Sequence, residues 1–297
     1  MPGHPSPFRR FVAIDWSGAR EPAAQRRAIV RCVIEQRVGG RRVTCLQGGR
    51  DRRETVAWLA DLAPDGVPTL AGLDFPFAYA APFLDHLGAG DFAAMLERLA
   101  PLHESTDAPE RIATLVEACG RWWTRCRPGP DRHTRRQVEC LPATRGAESP
   151  LRALRRAGRY DFVGARQVGK AALTGIAAIA ALKTRAPSIR VWPFEDPAGA
   201  PLVLAEIWPR LALGRLVKSA PAARRSKVRE LDGRGIRLRP ADRCAAAASD
   251  HAIDALAAAA EMALGGWPLI GRRALPREAV REGWILGVRP PSSCRAG

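Results

Sequence analysis

Several absences frame the sequence. No stretch approaches the roughly 20 apolar residues that a membrane span requires. The opening segment, Met1 to Arg10, is short and polar, unlike a secretory leader. A soluble cytoplasmic protein with no membrane partner is therefore expected. Among the seven cysteines (32, 45, 119, 126, 140, 244 and 294) no Cys-x-x-Cys pair occurs, which leaves a zinc ribbon without support. Their odd count and irregular spacing also argue against a disulfide framework, and free thiols in a reducing compartment fit better. Lysine is nearly missing: it stands only at 170, 183, 218 and 227, so arginine supplies almost all of the 47 basic residues. Acids are short as well, 30 against those 47, for a formal net charge of +17. Coding bias accounts for arginine in place of lysine, given the abundant alanine, glycine and proline. It does not account for the excess of bases over acids, which suggests a polyanionic partner such as nucleic acid.

The chain has 297 residues, 46% of them hydrophobic and 26% charged, as in an ordinary globular protein. That length suits one α/β core carrying an insertion better than two large domains. Phe11-Val-Ala-Ile-Asp15 is a short apolar run that ends in an acid and meets Ser17-Gly18, so it reads as a buried strand and turn. Ala28 to Ile34 reads as a second strand, and Arg42 to Leu46, beyond the Gly39-Gly40 turn, as a third. Asp51 to Leu62 spaces Val56, Leu59 and Leu62 as a helix does, and Pro64 stops it. Thr69 to Asp74 is another apolar run closed by an acid. The order is β-β-β-α-β, with acids ending the first and fourth strands.

From Phe83 to about Ser188 the pattern suggests a largely helical insertion or cap. Helices are expected at Asp91–Leu99, Arg111–Trp123 and Lys170–Lys183, and residues 124–159 read as loop. Strand character returns at Ile189–Trp192 and Pro201–Glu206. Residues 214–243 form a second basic stretch, and Asp250 to Leu264 reads as an alanine-rich helix.

Asp15, Asp74, Glu206, Asp250 and Asp254 form the candidate constellation. Parallel strands bring their carboxyl ends to one edge of a sheet, where ligands usually bind. Asp15 and Asp74 would meet there. On the last helix His251 and Asp254 stand three apart and Asp250 and Asp254 four apart, so either pair shares a face. Crowded carboxylates repel one another unless a cation compensates them, and all-oxygen sites suit Mg²⁺ or Mn²⁺. Two such ions can activate water and stabilise the leaving oxygen of a phosphodiester. Asp250 is also a good N-cap, which favours Asp254 with His251 as the contribution of the last helix.

Ile14-Asp15-Trp16-Ser17-Gly18, Gly72-Leu-Asp74-Phe-Pro76, Trp192-Pro-Phe-Glu195, Glu206-Ile-Trp-Pro209 and Asp250-His-Ala-Ile-Asp254-Ala-Leu256 together resemble the DUF429 family of predicted nucleases with a ribonuclease-H-like fold. The last helix is also similar to that of RuvC-type Holliday-junction resolvases. The resemblance covers roughly residues 10–80 and 189–264, and it departs from the resolvases in placing Asp rather than Glu on the fourth strand. It implies a ribonuclease-H-like core; joined to the insertion read from the pattern, the expectation is one domain over residues 8–297, a mixed five-stranded sheet flanked by helices, with 83–188 inserted between strands 4 and 5. It also implies metal-dependent phosphodiester hydrolysis. In that reading Asp15 bridges two Mg²⁺ or Mn²⁺ ions, Asp74 and Asp254 each complete one site, and His251 is a ligand or orients water. Glu206 and Asp250 are further candidate ligands. Ser17, Arg166, Lys170, Arg135 and Arg136 are candidate phosphate contacts.

Two other classes compete. Exposed arginine segments (Arg132, Arg135, Arg136; Arg224, Arg225, Lys227, Arg229) would suffice for a non-catalytic nucleic-acid-binding protein, with tryptophans 122, 123, 192, 208, 267 and 284 available for stacking. Gly164-Ala-Arg-Gln-Val-Gly-Lys170 matches most of a phosphate-binding P-loop, but Ala171 replaces the hydroxyl that holds magnesium. Asp15-Trp-Ser-Gly18 also resembles the first phosphate loop of actin-like ATPases, without a second glycine-rich loop elsewhere.

Overall fold

A computed structural model describes residues 6–79, 84–85, 88–104, 168–277 and 279–290. The strands are β1 (Arg10–Asp15), β2 (Val30–Arg37), β3 (Gly40–Gln47), β4 (Thr69–Leu73), β5 (Arg190–Trp192), β6 (Leu202–Glu206) and β7 (Ile236–Arg237). The main helices are α1 (Pro22–Ala28), α2 (Arg52–Leu62), α3 (Phe92–Leu99), α4 (Val168–Arg185), α5 (Pro221–Gly233), α6 (Pro240–Ala248) and α7 (Asp250–Ala263). All seven strands join one sheet in the order β5-β6-β4-β1-β2-β3-β7. Only β2 runs against its neighbours, so the sheet is mixed but mostly parallel.

The expected count of five strands is corrected to seven among the described residues. Ile189–Trp192, whose strand character was legible, adds itself as the edge strand β5. The two-residue β7 lies inside the stretch read only as basic, and a strand that short has no periodicity to read. The expected second strand also begins too early. Pro22 sits in the first turn of a helix that runs to Ala28, and Gln25 alone of its residues is buried, so no apolar stripe announces it.

Strand side chains alternate between two cores. Val12, Ile14, Ala71, Leu73, Leu202 and Leu204 pack with α2, α3 and α4. Phe11, Ala13, Leu70, Val203 and Ala205 face the other way, onto α5, α6 and α7. Strands covered on both faces read as continuous apolar runs, which is why β1, β4 and β6 were plain in the sequence. Helix α2 opens with a reciprocal cap, in which the Asp51 side chain accepts from the Glu54 amide and Glu54 accepts from the Asp51 amide. The described ends of the expected insertion, α3 and α4, belong to the first of these cores. Helix α4 approaches closely because Gly175 leaves room for Phe75, whose Cε2 lies 2.4 Å from where a Cβ would stand. Gly72 does the same on the opposite face for Ile207, at 2.5 Å.

Candidate active site

The parallel register sets Ile14 of β1 beside Leu73 of β4. The next residues are Asp15 and Asp74, and the Asp74 amide donates to the Ile14 carbonyl at 3.0 Å. Two carboxylates thus leave neighbouring strand ends, at the carboxyl edge of the sheet. By the alternation of β1, Asp15 points toward the α7 side. There the His251 imidazole Nδ1 meets Asp15 Oδ2 at 2.6 Å. Helix α7 brings Asp254 to the same place one turn further on.

The N-cap of this helix is Ser249, whose hydroxyl accepts from the Ala252 amide at 3.2 Å. That corrects the assignment of capping to Asp250, which is the first helical residue and accepts the His251 amide at 3.1 Å. Ser249 occupies the position whose extended backbone lets a side-chain oxygen reach back to the third helical amide.

One residue of this site was missed in the sequence. The Lys218 ammonium, on the turn before α5, ion-pairs with Asp254 Oδ2. It lay within a basic stretch and had no spacing relation to the acids. Scarcity was the available signal: each lysine whose side chain is described pairs with a carboxylate, Lys183 with Glu195, Lys218 with Asp254 and Lys227 with Glu230. Arg224 fixes the Lys218 turn. Its guanidinium donates to the carbonyls of Lys218 (2.5 Å), Ala247 (2.7 Å) and Ala248 (3.3 Å), joining that turn to the end of α6 just ahead of the Asp250–Asp254 turn. Arg224 and Lys227 were read as exposed phosphate contacts. Both are buried, because these bonds and the Lys227–Glu230 pair draw them inward, and that reading is corrected.

The electrostatics are those of charge held out of water. Asp15 and Asp254 are buried. Burial raises the pKa of Asp15, against the lowering effect of His251 and Lys218. Asp254 is pushed up to about 6, by burial first and with a further push from Asp15 and Asp250. Asp74 is raised well above its ordinary value, by burial first, then by Asp15 and Asp254, with a smaller push from Glu206. His251 is raised chiefly by its bond to Asp15, and Lys218 is raised by Asp254 despite its partial burial. Four aspartates (15, 74, 250 and 254) therefore share one ammonium and one imidazole. Among the described residues, no three histidine, cysteine or acidic side chains are drawn together as a metal shell.

Glu206 lies beside the cluster, paired with Leu73 next to Asp74 and adding to the charge that raises it, while the remaining predicted residues stand behind the site or outside the described residues. Glu206 ends β6, and its Oε2 accepts the Phe77 amide at 3.1 Å. Ser17 accepts the Ala19 amide at 3.2 Å, within the loop that follows Asp15. That loop is held by Arg52, which donates to the carbonyls of Ser17 and Ala19, and by Gln25, which donates to those of Ala19 and Arg20. Burial, only partly offset by the charge of Asp51, lowers Arg52 to about 10. Arg135, Arg136 and Arg166 lie outside the described residues, as does most of the Gly164–Lys170 segment. Lys170 enters the first turn of α4, and its side chain is not described. Of the tryptophans offered for stacking, Trp192, Trp267 and Trp284 are core residues.

Fold and cluster together define an α/β protein with buried carboxylates, a lysine and a histidine gathered at the carboxyl edge of its sheet. Compared with known proteins, the chain matches no family model, no curated sequence and no solved structure. No helix among the described residues is long and apolar enough to cross a membrane.

Proposed function

We propose that this chain is a divalent-metal-dependent phosphodiesterase acting on nucleic acid, built on a ribonuclease-H-like core. One observation carries the reading: Asp15, Asp74 and Asp254 come from β1, β4 and α7 to one edge of the sheet, where burial raises all three and the charge of Asp15 pushes Asp74 and Asp254 up further. Carboxylates that raise one another's pKa form a donor set that a hard cation relieves. The sheet is compatible with that core: it is mixed but mostly parallel, with β2 antiparallel between β1 and β3 and helices on both faces. The sequence motifs that resemble the DUF429 family fall on this edge.

In kind, the donors fit Mg²⁺ or Mn²⁺. Asp15, Asp74 and Asp254 would hold the ions, with Asp250 beside them, and the ions would supply an activated water and stabilise the leaving oxygen. The chain's own groups do the rest. Asp15 orients the His251 imidazole through Nδ1, leaving Nε2 as the ring atom free to hold or move a proton at water or substrate. Lys218 balances Asp254 and offers an ammonium to the phosphate once that carboxylate is otherwise engaged. Arg52 and Gln25 fix the loop behind Asp15.

The Lys218–Asp254 pair also favours a second reading, in which the site's cation is its own lysine and the protein binds nucleic acid without cutting it. Incubating the protein with labelled duplex, single strand, four-way junction and RNA–DNA hybrid, in Mn²⁺, Mg²⁺ or EDTA, separates the two. Metal-dependent cleavage that disappears in Asp15→Asn and Asp254→Asn supports the nuclease. Binding without cleavage by folded wild type in every condition supports the second reading.

A further inference from the structure

At the other end of the sheet, the β2–β3 hairpin and β7 enclose a groove of about 400 Å³ lined by Arg37, Val38, Gly40, Arg42, Arg237 and Arg239. The β-pairing explains how it forms. Arg10 of β1 stands opposite Glu35 of β2, Glu35 opposite Arg42 of β3, and Arg42 opposite Arg237 of β7. Directly paired residues project from the same face of a sheet, so these four make one row of three arginines and one glutamate. The glutamate is already engaged, by Arg37 at 2.6 Å and by Arg10 at 3.7 Å. Arg239 is held by Asp242 at 2.8 Å. Arg42 and Arg237 pair with no carboxylate among the described residues, and both are exposed. Like charges set directly opposite one another destabilise a strand pair, and β3–β7 is only two residue pairs long.

An anion between the two guanidiniums removes that cost, and planar arginine forks match phosphate oxygens. The turn leaves a clear approach. Gly39 and Gly40 adopt φ of 93° and 127°, the Val38 side chain stands free in solvent at the tip, and Arg237 Nε lies 4.0 Å from where a Gly40 Cβ would be. Arg10 and Asp15 are five residues apart on β1, about 17 Å at strand rise, so the groove is separate from the carboxylate cluster.

We propose that this groove is a second nucleic-acid contact, in which Arg42 and Arg237 together grip backbone phosphates. The choice of nucleic acid as the polyanion rests on the proposed function; the groove and its charge do not. The test is fluorescence polarisation of the full chain with a labelled 20-base-pair duplex, in EDTA, over a series of KCl concentrations. Removing two phosphate contacts lowers the slope of log K against log salt by about 1.8. Arg42→Gln/Arg237→Gln is expected to show that fall and at least a tenfold loss of affinity at 100 mM salt, on the order of two contacts' worth.

Arg237→Glu supplies a second reading of the same idea, because it turns the opposed pair into an attractive one. Its melting temperature is expected to rise while duplex affinity falls. An unchanged slope in the glutamine double variant overturns the proposal, as does a loss of binding by Arg237→Glu that accompanies a lower melting temperature. Displacement of duplex by polyglutamate as readily as by unlabelled duplex also overturns it, in favour of an acidic protein partner. Since no metal is present, absence of cleavage by the wild type leaves the binding result standing, and intact cleavage with an unchanged slope sinks the groove alone.

Discussion

Asp254 offers the sharpest test of the electrostatics. Its carboxyl is held at about 6, two units above its ordinary value, by burial that the Lys218 ammonium only partly offsets. The folded state therefore binds this proton more tightly than the unfolded chain does. The associated stability is complete below about pH 4 and is lost as pH rises through 6. Two units correspond to about 3 kcal/mol, so above pH 7 the ionised Asp254 destabilises the fold by up to that amount. Asp254→Asn keeps the shape and removes the charge. It is expected to stabilise the protein at pH 8 by about 1 to 3 kcal/mol, the lower figure reflecting the ammonium left without a partner. Urea denaturation at pH 8 and at pH 4.5 checks it: the gain should be present at the first and small at the second. Mn²⁺ should then stabilise the wild type more than the variant, because a ligand stabilises only the state that binds it. A variant less stable than wild type at pH 8, or a difference independent of pH, would refute the idea that Asp254 is a charge held against its preference.

Other expectations follow from neighbouring contacts. The raised pKa of His251 means that its ion pair with Asp15 is fully present below about pH 6.5 and fades as pH rises through the raised value. Because the imidazole is nearly half exposed, His251→Ala should cost only about 1 kcal/mol at pH 6 and less at pH 9, by the same denaturation assay. Gly175→Ala drives a methyl into the Phe75 ring, whose Cγ, Cδ2 and Cε2 lie 2.4 to 2.6 Å away, and should lower stability by about 1 to 3 kcal/mol. Gly72→Ala meets Ile207 Cγ2 at 2.5 Å and Met262 Cε at 3.2 Å and should cost a similar amount, again read from the urea midpoint.

What was legible in the sequence is what periodicity and composition encode locally. β1, β4 and β6 announced themselves as short apolar runs because helices cover both of their faces. Helices α2, α3, α4 and α7 were found to within two residues, aided at α2 and α3 by Asp51 and Asp91, whose side chains accept the first helical amides. Strand order placed Asp15 beside Asp74, the resemblance added Asp254 and His251 to the set, and the direct bond between Asp15 and His251 was not foreseen. The basic stretch from 214 to 243 was not legible. It holds α5, β7 and α6, but its arginines hide the few apolar anchors, Val228, Leu231, Ile236 and Leu238. Lys218 was invisible for a different reason. Its partner is 36 residues away, and the bond depends on a turn held by Arg224 from a helix that the pattern did not reveal.

Arg224 also bears on how the arginine excess of this chain should be weighed. Its guanidinium uses three separate nitrogens on three carbonyls from two segments, with fixed angles between them. A lysine presents a single nitrogen at the end of a flexible stem and cannot span that set. Arg52 donates to two carbonyls of the loop behind Asp15 through one nitrogen, a demand that an ammonium can also meet. Genomic composition can exchange an arginine that merely stands in solvent for a lysine without geometric consequence, but not Arg224. A counterpart from a genome of balanced base composition would shed much of its arginine and keep it at the position of Arg224, so drift in nucleotide usage becomes a filter that separates structural guanidiniums from incidental ones.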